Sequence, residues 1–191
     1  MLREVATSIQ RRVTDNVTAT DCKNSTTFVK EGQKVGKSLT ERGTMNYLSS
    51  TKDWKVRVDL DGRLKVPEEI ALTNLRPDIL LISQKTKQLG IIELTVPSED
   101  RIEVSGEIKK LKYETIAQEG KIKGWRVRSI SFLSIEVGCK GFPAVSLSTF
   151  FKDIGYSGGK RKRIIENIGK VAEQASHTIW KSSFYKNWGN N

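Results

Sequence analysis

Apolar residues along the chain follow two rhythms, one helical and one alternating. Leu2, Val5, Ile9 and Val13 recur at helical spacing, which predicts a short N-terminal helix. Thr, Asn, Lys and Gly then dominate as far as Ser50, with a short strand expected around residues 27–29. From Trp54 the period changes to two. Trp54, Val56, Val58 and Leu60 alternate with charged residues, the pattern of a strand with one buried face. Asp61-Gly62 is a hairpin signal, and VPEEIALTN reads as a helical turn or a short strand. RPDILLIS holds four consecutive apolar residues and reads as a strand buried on both faces. SQKTKQLG is a polar turn, and GIIELTVP is the next strand, stopped by Pro97.

The second half is mixed. A helix from about Glu99 to Glu119 would place Val104, Ile108, Leu111 and Thr115 on its inner stripe. VRSISFLSIEVG is a long β segment, and GCKGFP is a glycine-punctuated turn. A short helix is expected from Ala144 to about Ile154. A last one, from about Lys160 to Lys181, would carry Ile164, Ile168, Val171, Ala175 and Ile179 on one face. Three strands, a long helix, a strand and then helices make a mixed α/β fold, a central sheet flanked by helices. The chain divides into an N-terminal helix and polar extension (1–50), a core (51–155) and a basic C-terminal helix (156–191).

Composition narrows the function. With 33 Lys and Arg against 22 Asp and Glu, the net charge is +11, which calls for a polyanionic partner, nucleic acid before all others. No apolar run approaches a membrane span, and MLREVATSIQRRV lacks the apolar stretch of a signal peptide, so an intracellular protein is expected. Two cysteines, Cys22 and Cys139, and one histidine, His177, exclude a disulfide framework and most zinc sites.

The candidate chemistry lies on the two most apolar strands. Asp78 opens one, and Glu93 sits between Ile92 and Leu94 in the other. A carboxylate inside an apolar strand is costly unless it is paired or bound to metal. A short turn joins the strands, so hairpin pairing would bring Asp78 and Glu93 to one face. Two close carboxylates resist joint ionisation, and a divalent cation removes the conflict. Oxygen ligands favour Mg²⁺ or Mn²⁺ over zinc, and the Leu94 carbonyl is a further candidate ligand. An ion pair with a nearby base such as Arg76 is the alternative reading of either residue.

Pro77-Asp78, a hairpin, and Glu93-Leu94-Thr95 on the next strand resemble the PD-(D/E)xK (restriction-endonuclease-like) nuclease superfamily. The wider text, DWKVRVDL, PEEIALTNLRPDILL, IIELTVPSED, KKLKYE and EVGCKGF, resembles nuclease-like domains associated with retrotransposon-derived reverse transcriptases. The resemblance covers roughly residues 50–150. It implies an α-β-β-β-α-β core, bound Mg²⁺ and hydrolysis of phosphodiesters, with Asp78 and Glu93 in the catalytic and metal-binding positions.

Thr95 departs from that pattern, standing where the superfamily has a lysine. The lysine of some members comes instead from the following helix. With Ile108 at 0° and steps of ~100°, Lys112 falls near 40°, at the border of the expected apolar stripe, and Lys109 near 100°. Lys112 is therefore the candidate for the displaced lysine, with a snorkelling surface residue as its other reading. Glu69 matches a helical Glu that joins the metal site in some members, or is a solvated helix-start residue.

Lys160, Arg161, Lys162 and Arg163 open the last helix, where the macrodipole disfavours cations. An anion there would offset that cost, so this run is a candidate phosphate-binding surface; it also has the form of a nuclear-import signal. The expectation is a Mg²⁺-dependent nuclease acting on DNA. Its rival, favoured by Thr95, is a nucleic-acid-binding module on an inactive nuclease-like scaffold.

Overall fold

The computed structural model describes residues 1–18, 46–127 and 132–184. The strand expected around residues 27–29 lies outside them, as do residues 128–131 of the long β segment. The centre of the fold is the expected hairpin. β2 (Ile79–Ser83) and β3 (Gln88–Thr95) run antiparallel, with Ile79 opposite Ile92 and Ser83 opposite Gln88. β1 (Lys55–Val58) adds antiparallel to β2, and β4 (Phe132–Glu136) adds parallel to β3, giving the order β1-β2-β3-β4. A parallel neighbour needs a crossover. α2 (Ile102–Ile122) supplies it, after a 3-10 turn at Glu99–Arg101.

The protein is a mixed α/β fold with two apolar layers. On one side of the sheet, Ile79, Leu81, Ile92 and Ile135 pack with α1 (Leu2–Thr18), α3 (Val145–Asp153) and α4 (Gly158–Ser182). On the other, Leu80, Ile82, Leu89 and Ile91 pack beneath Tyr113 and Ile116 of α2. All five residues of β2 are buried, which is why that strand is apolar without alternation. Among the described residues no helix is long and apolar enough to cross a membrane.

Three local expectations are corrected. Asp61-Gly62 does not close a hairpin. Asp59 Oδ1 instead accepts the N–H groups of Arg63 and Leu64 at 2.7 and 3.0 Å, folding a longer connection to β2. Within it the carbonyl of Pro67 accepts from Ile70 and Ala71, so VPEEIALTN makes a helical turn. Along α4, burial covers Ile168 and Ala172 but not Ala175 or Ile179, because the stripe continues past the body it packs on.

The third correction concerns the phase of α2. Val104, Ile108 and Leu111 are 57%, 60% and 68% exposed, while Tyr113, Ile116 and Gly120 are buried. On the wheel with Ile108 at 0°, the buried face centres near ~110° rather than near ~330° as the aliphatic stripe predicted. Tyr113 and Ile116 fill the space over β2 and β3. Gly120 faces the same layer, where a Cβ would make ordinary contact with Val127, Ile70 and Leu89.

Candidate functional site

The antiparallel register continues one step beyond each strand end, and there it gathers acids. Asp59 follows Val58, the partner of Ile79, and its N–H donates to the Asp78 carbonyl at 2.8 Å. Asp78 precedes Ile79, whose partner is Ile92, and so lies beside Glu93. Glu93 in turn faces Ser134 of β4. By the two-residue period these side chains lie on the α2 side of the sheet, with Thr95 and its partner Glu136 next along it.

Asp78 and Glu93 are locked by reciprocal bonds. The Leu94 N–H donates to Asp78 Oδ2 at 2.7 Å, and the Asp78 N–H donates to Glu93 Oε2 at 3.2 Å. Burial pushes the Asp78 carboxyl above its ordinary value, and the Glu93 charge pushes the same way, against the Leu94 N–H and the Lys109 charge. Leu94 thus holds Asp78 through its N–H.

The helix supplies the counter-charge. Lys109 Nζ lies 2.5 Å from Glu93 Oε1, whereas Lys112 Nζ is 4.0 Å away, more exposed, and rests over the Tyr113 ring. Lys109 sits at the middle of the inward face, and Lys112 at its edge. Tyr113 completes the cluster. Its hydroxyl donates to the Arg76 carbonyl at 2.8 Å, and burial together with the nearby Glu93 charge raises its pKa. Sequence reasoning passed over Lys109 because it followed the aliphatic residues. The spacing of Lys109, Tyr113, Ile116 and Gly120, a single helical face containing the one aromatic residue of α2, was the available signal.

The other candidates stand apart. Glu69 Oε1 accepts from Gln84 Nε2 at 2.5 Å, at the β2–β3 turn and away from Asp78. Thr95 is half-buried on the Glu93 side of β3. Lys160, Arg161, Lys162 and Arg163 do lie in the first turns of α4, but α4 packs on the opposite side of the sheet from α2. Lys160 rests over the Tyr156 ring, and Lys162 pairs with Glu166 at 3.9 Å.

Beyond Thr95 the acidic character continues. Glu136 is buried, takes the Ser146 hydroxyl on Oε2 at 2.5 Å, and leaves Oε1 without a hydrogen-bond partner. A Cβ at Gly106 would come within 2.7 Å of that oxygen, so a larger residue there would press on the Glu136 carboxylate.

The donor set fits a hard cation that keeps water ligands. Among the described residues no three His, Cys, Asp or Glu side chains converge as a complete metal cage. Mg²⁺ needs no such cage, being held through one or two carboxylates with waters completing its shell. Asp78 and Glu93 offer that pair, and a cation would offset the burial and the Glu93 charge that raise the Asp78 pKa. Comparison with family models, with curated proteins and with solved structures finds no match to this chain.

Proposed function

We propose that this protein is a metal-dependent nuclease that hydrolyses phosphodiester bonds in DNA. The observation that carries the reading is the apposition of Asp78 and Glu93 with the Lys109 ammonium 2.5 Å from Glu93. The element order α1-β1-β2-β3-α2-β4 supports it, being the order that the superfamily resemblance implies. Asp78 and Glu93 would hold Mg²⁺ or Mn²⁺, which supplies Lewis-acid polarisation of the phosphate and a more acidic water. The chain's own groups do the rest. The Leu94 and Asp78 N–H groups orient the two carboxylates. Lys109 keeps positive charge beside them, where negative charge builds on phosphate oxygens, and so stands in for the lysine missing at Thr95. A nuclear destination, from Lys160–Arg163, belongs to the same proposal.

One observation favours a second reading. Lys109 already offsets the Glu93 charge without a metal, as in a DNA-binding module that has lost catalysis. Supercoiled plasmid incubated with Mg²⁺, Mn²⁺ or EDTA separates the two. The nuclease nicks it with either metal, stops in EDTA, and is silenced by Asp78→Ala with DNA binding kept. Binding without nicking under either metal would sink the nuclease and leave the module.

A further inference from the structure

The α2 side of the sheet carries two clefts of opposite charge, one on each flank of Asp78 and Glu93. The first, of about 870 Å³, lies beyond β1 and is lined by Arg57, Arg63, Lys65 and Arg76 against a single acid, Glu68. The second, of about 860 Å³, lies between α2 and the end of β4, where five carboxylates, Glu136 among them, face one base, Lys110. We propose that the first cleft is the binding site for the DNA backbone that leads a phosphodiester to Asp78 and Glu93. This rests on the reading of the substrate as a nucleic acid and adds the path by which it arrives.

Four features argue for that path. All four cations of the cleft are exposed, and among the described residues none makes an ion pair with a carboxylate. Cations left unpaired together on one concave surface repel one another, and a polyanion relieves this. The cleft is also built into the site. Arg76 stands two residues before Asp78, its guanidinium donates to the Gly62 carbonyl, and its own carbonyl accepts from Tyr113, whose hydroxyl also meets Glu93. Asp59, beside Asp78, holds the N–H groups of Arg63 and Leu64, so the cleft wall and the catalytic pair share one connection. The acidic cleft finally excludes phosphates from the β4 flank, which gives the strand a direction. Lys160–Arg163, on the opposite side of the sheet, cannot reach the same phosphates from where α4 packs.

The test measures binding of a labelled DNA duplex to the full chain across a KCl series, in an Asp78→Ala background that prevents cleavage. Neutralising three cleft residues together (Arg57→Gln, Arg63→Gln, Lys65→Gln) should weaken binding by at least about tenfold near 0.1 M salt. It should also reduce the slope of log K against log salt by about 0.9 for each phosphate that the variant no longer neutralises. The version with Arg57→Lys and Arg63→Lys, and Lys65 unchanged, keeps the charge, and should keep most of that slope. Neutralising Lys160–Arg163 should change the slope less than the cleft triple does. An unchanged slope in the triple, or an equal loss in the charge-retaining version, overturns the cleft. Nicking by the unmodified chain is read separately. Nicking with an unchanged slope sinks the cleft alone, a reduced slope without nicking sinks the nuclease alone, and no DNA binding at any salt sinks both.

Discussion

Replacing Lys109 by methionine tests the site most directly, because it removes the charge and keeps much of the side-chain volume. Glu93 is almost fully buried, its side chain 4% exposed, and Lys109 is 29% exposed at 2.5 Å. At an effective dielectric near 20, that separation gives a gross attraction of about 6–7 kcal/mol, against about 4 for Lys112 at 4.0 Å. Desolvation offsets most of each. Breaking a fully buried pair costs about 3–5 kcal/mol, and the partial exposure of Lys109 and the remaining charge of Lys112 bring the expected loss to about 2–3 kcal/mol. For a chain of this size that is roughly 4–12 °C in Tm.

Glu93→Gln alone should cost less, since the freed ammonium can turn to water. The double variant Lys109→Met/Glu93→Gln removes both charges, leaves no orphan, and should be more stable than Lys109→Met by about 1 kcal/mol or more. Urea unfolding followed by circular dichroism gives all four corners of the cycle. Losses that add to within about 0.5 kcal/mol would refute the buried pair. Lys112→Met should cost under about 1 kcal/mol; a greater loss there than at Lys109 would mean that the inward face of α2 has been misassigned.

Two carboxylates should answer pH in opposite directions. Burial and the Glu93 charge raise Asp78 above 3.8, so the folded state holds that proton more tightly than the unfolded chain, and the charged form is a liability above the folded pKa. Asp78→Asn, which can still accept from the Leu94 N–H, should therefore raise Tm at pH 7, with the gain fading as pH falls toward 3.8; a loss of stability at pH 7 would contradict this. Asp53 is penalised by burial, but hydrogen bonds from Ser83, Thr51 and Lys85 outweigh that and hold its pKa below 3.8. Its stabilisation is present above that value and lost as pH falls through the folded pKa. Asp53→Asn should cost under about 1 kcal/mol at neutral pH, since the carboxylate is largely open to solvent, and a thermal series that shows the same deficit in strong acid would refute the assignment.

What the sequence revealed depended on how many rules agreed at each position. The β2–β3 hairpin was legible because apolar runs, a polar four-residue turn and Pro97 all pointed the same way, and the pairing of Asp78 with Glu93 followed from that register. α2 was legible as a helix but not in phase. Two faces competed, one of Val104, Ile108 and Leu111, the other of Tyr113, Ile116 and Gly120, and aliphatic count chose wrongly between them. Asp61-Gly62 misled because a turn signal is local, whereas Asp59 closes a loop over four and five residues with its side chain. Arg57, Arg63, Lys65 and Arg76 carry no sequence signature at all, being brought together only by that loop.

The misread phase has a physical logic. If α2 turned its aliphatic stripe inward, Val104, Ile108 and Leu111 would leave water, a gain of about 1.5 kcal/mol or more for each fully buried side chain. The same turn would carry Tyr113 and Ile116 out of the core, offsetting that gain, and would take Lys109 to solvent, leaving Glu93, already inside the sheet, without its nearest cation. Tyr113 would lose Arg76, and Glu136 would lose the space over Gly106. The observed phase thus accepts three exposed aliphatic residues to keep a lysine, a tyrosine and a glycine over a row of acids. Local rules of burial are violated where a helix has a second task. Here the inward face of α2 holds the Lys109 ammonium against the buried Glu93 carboxylate.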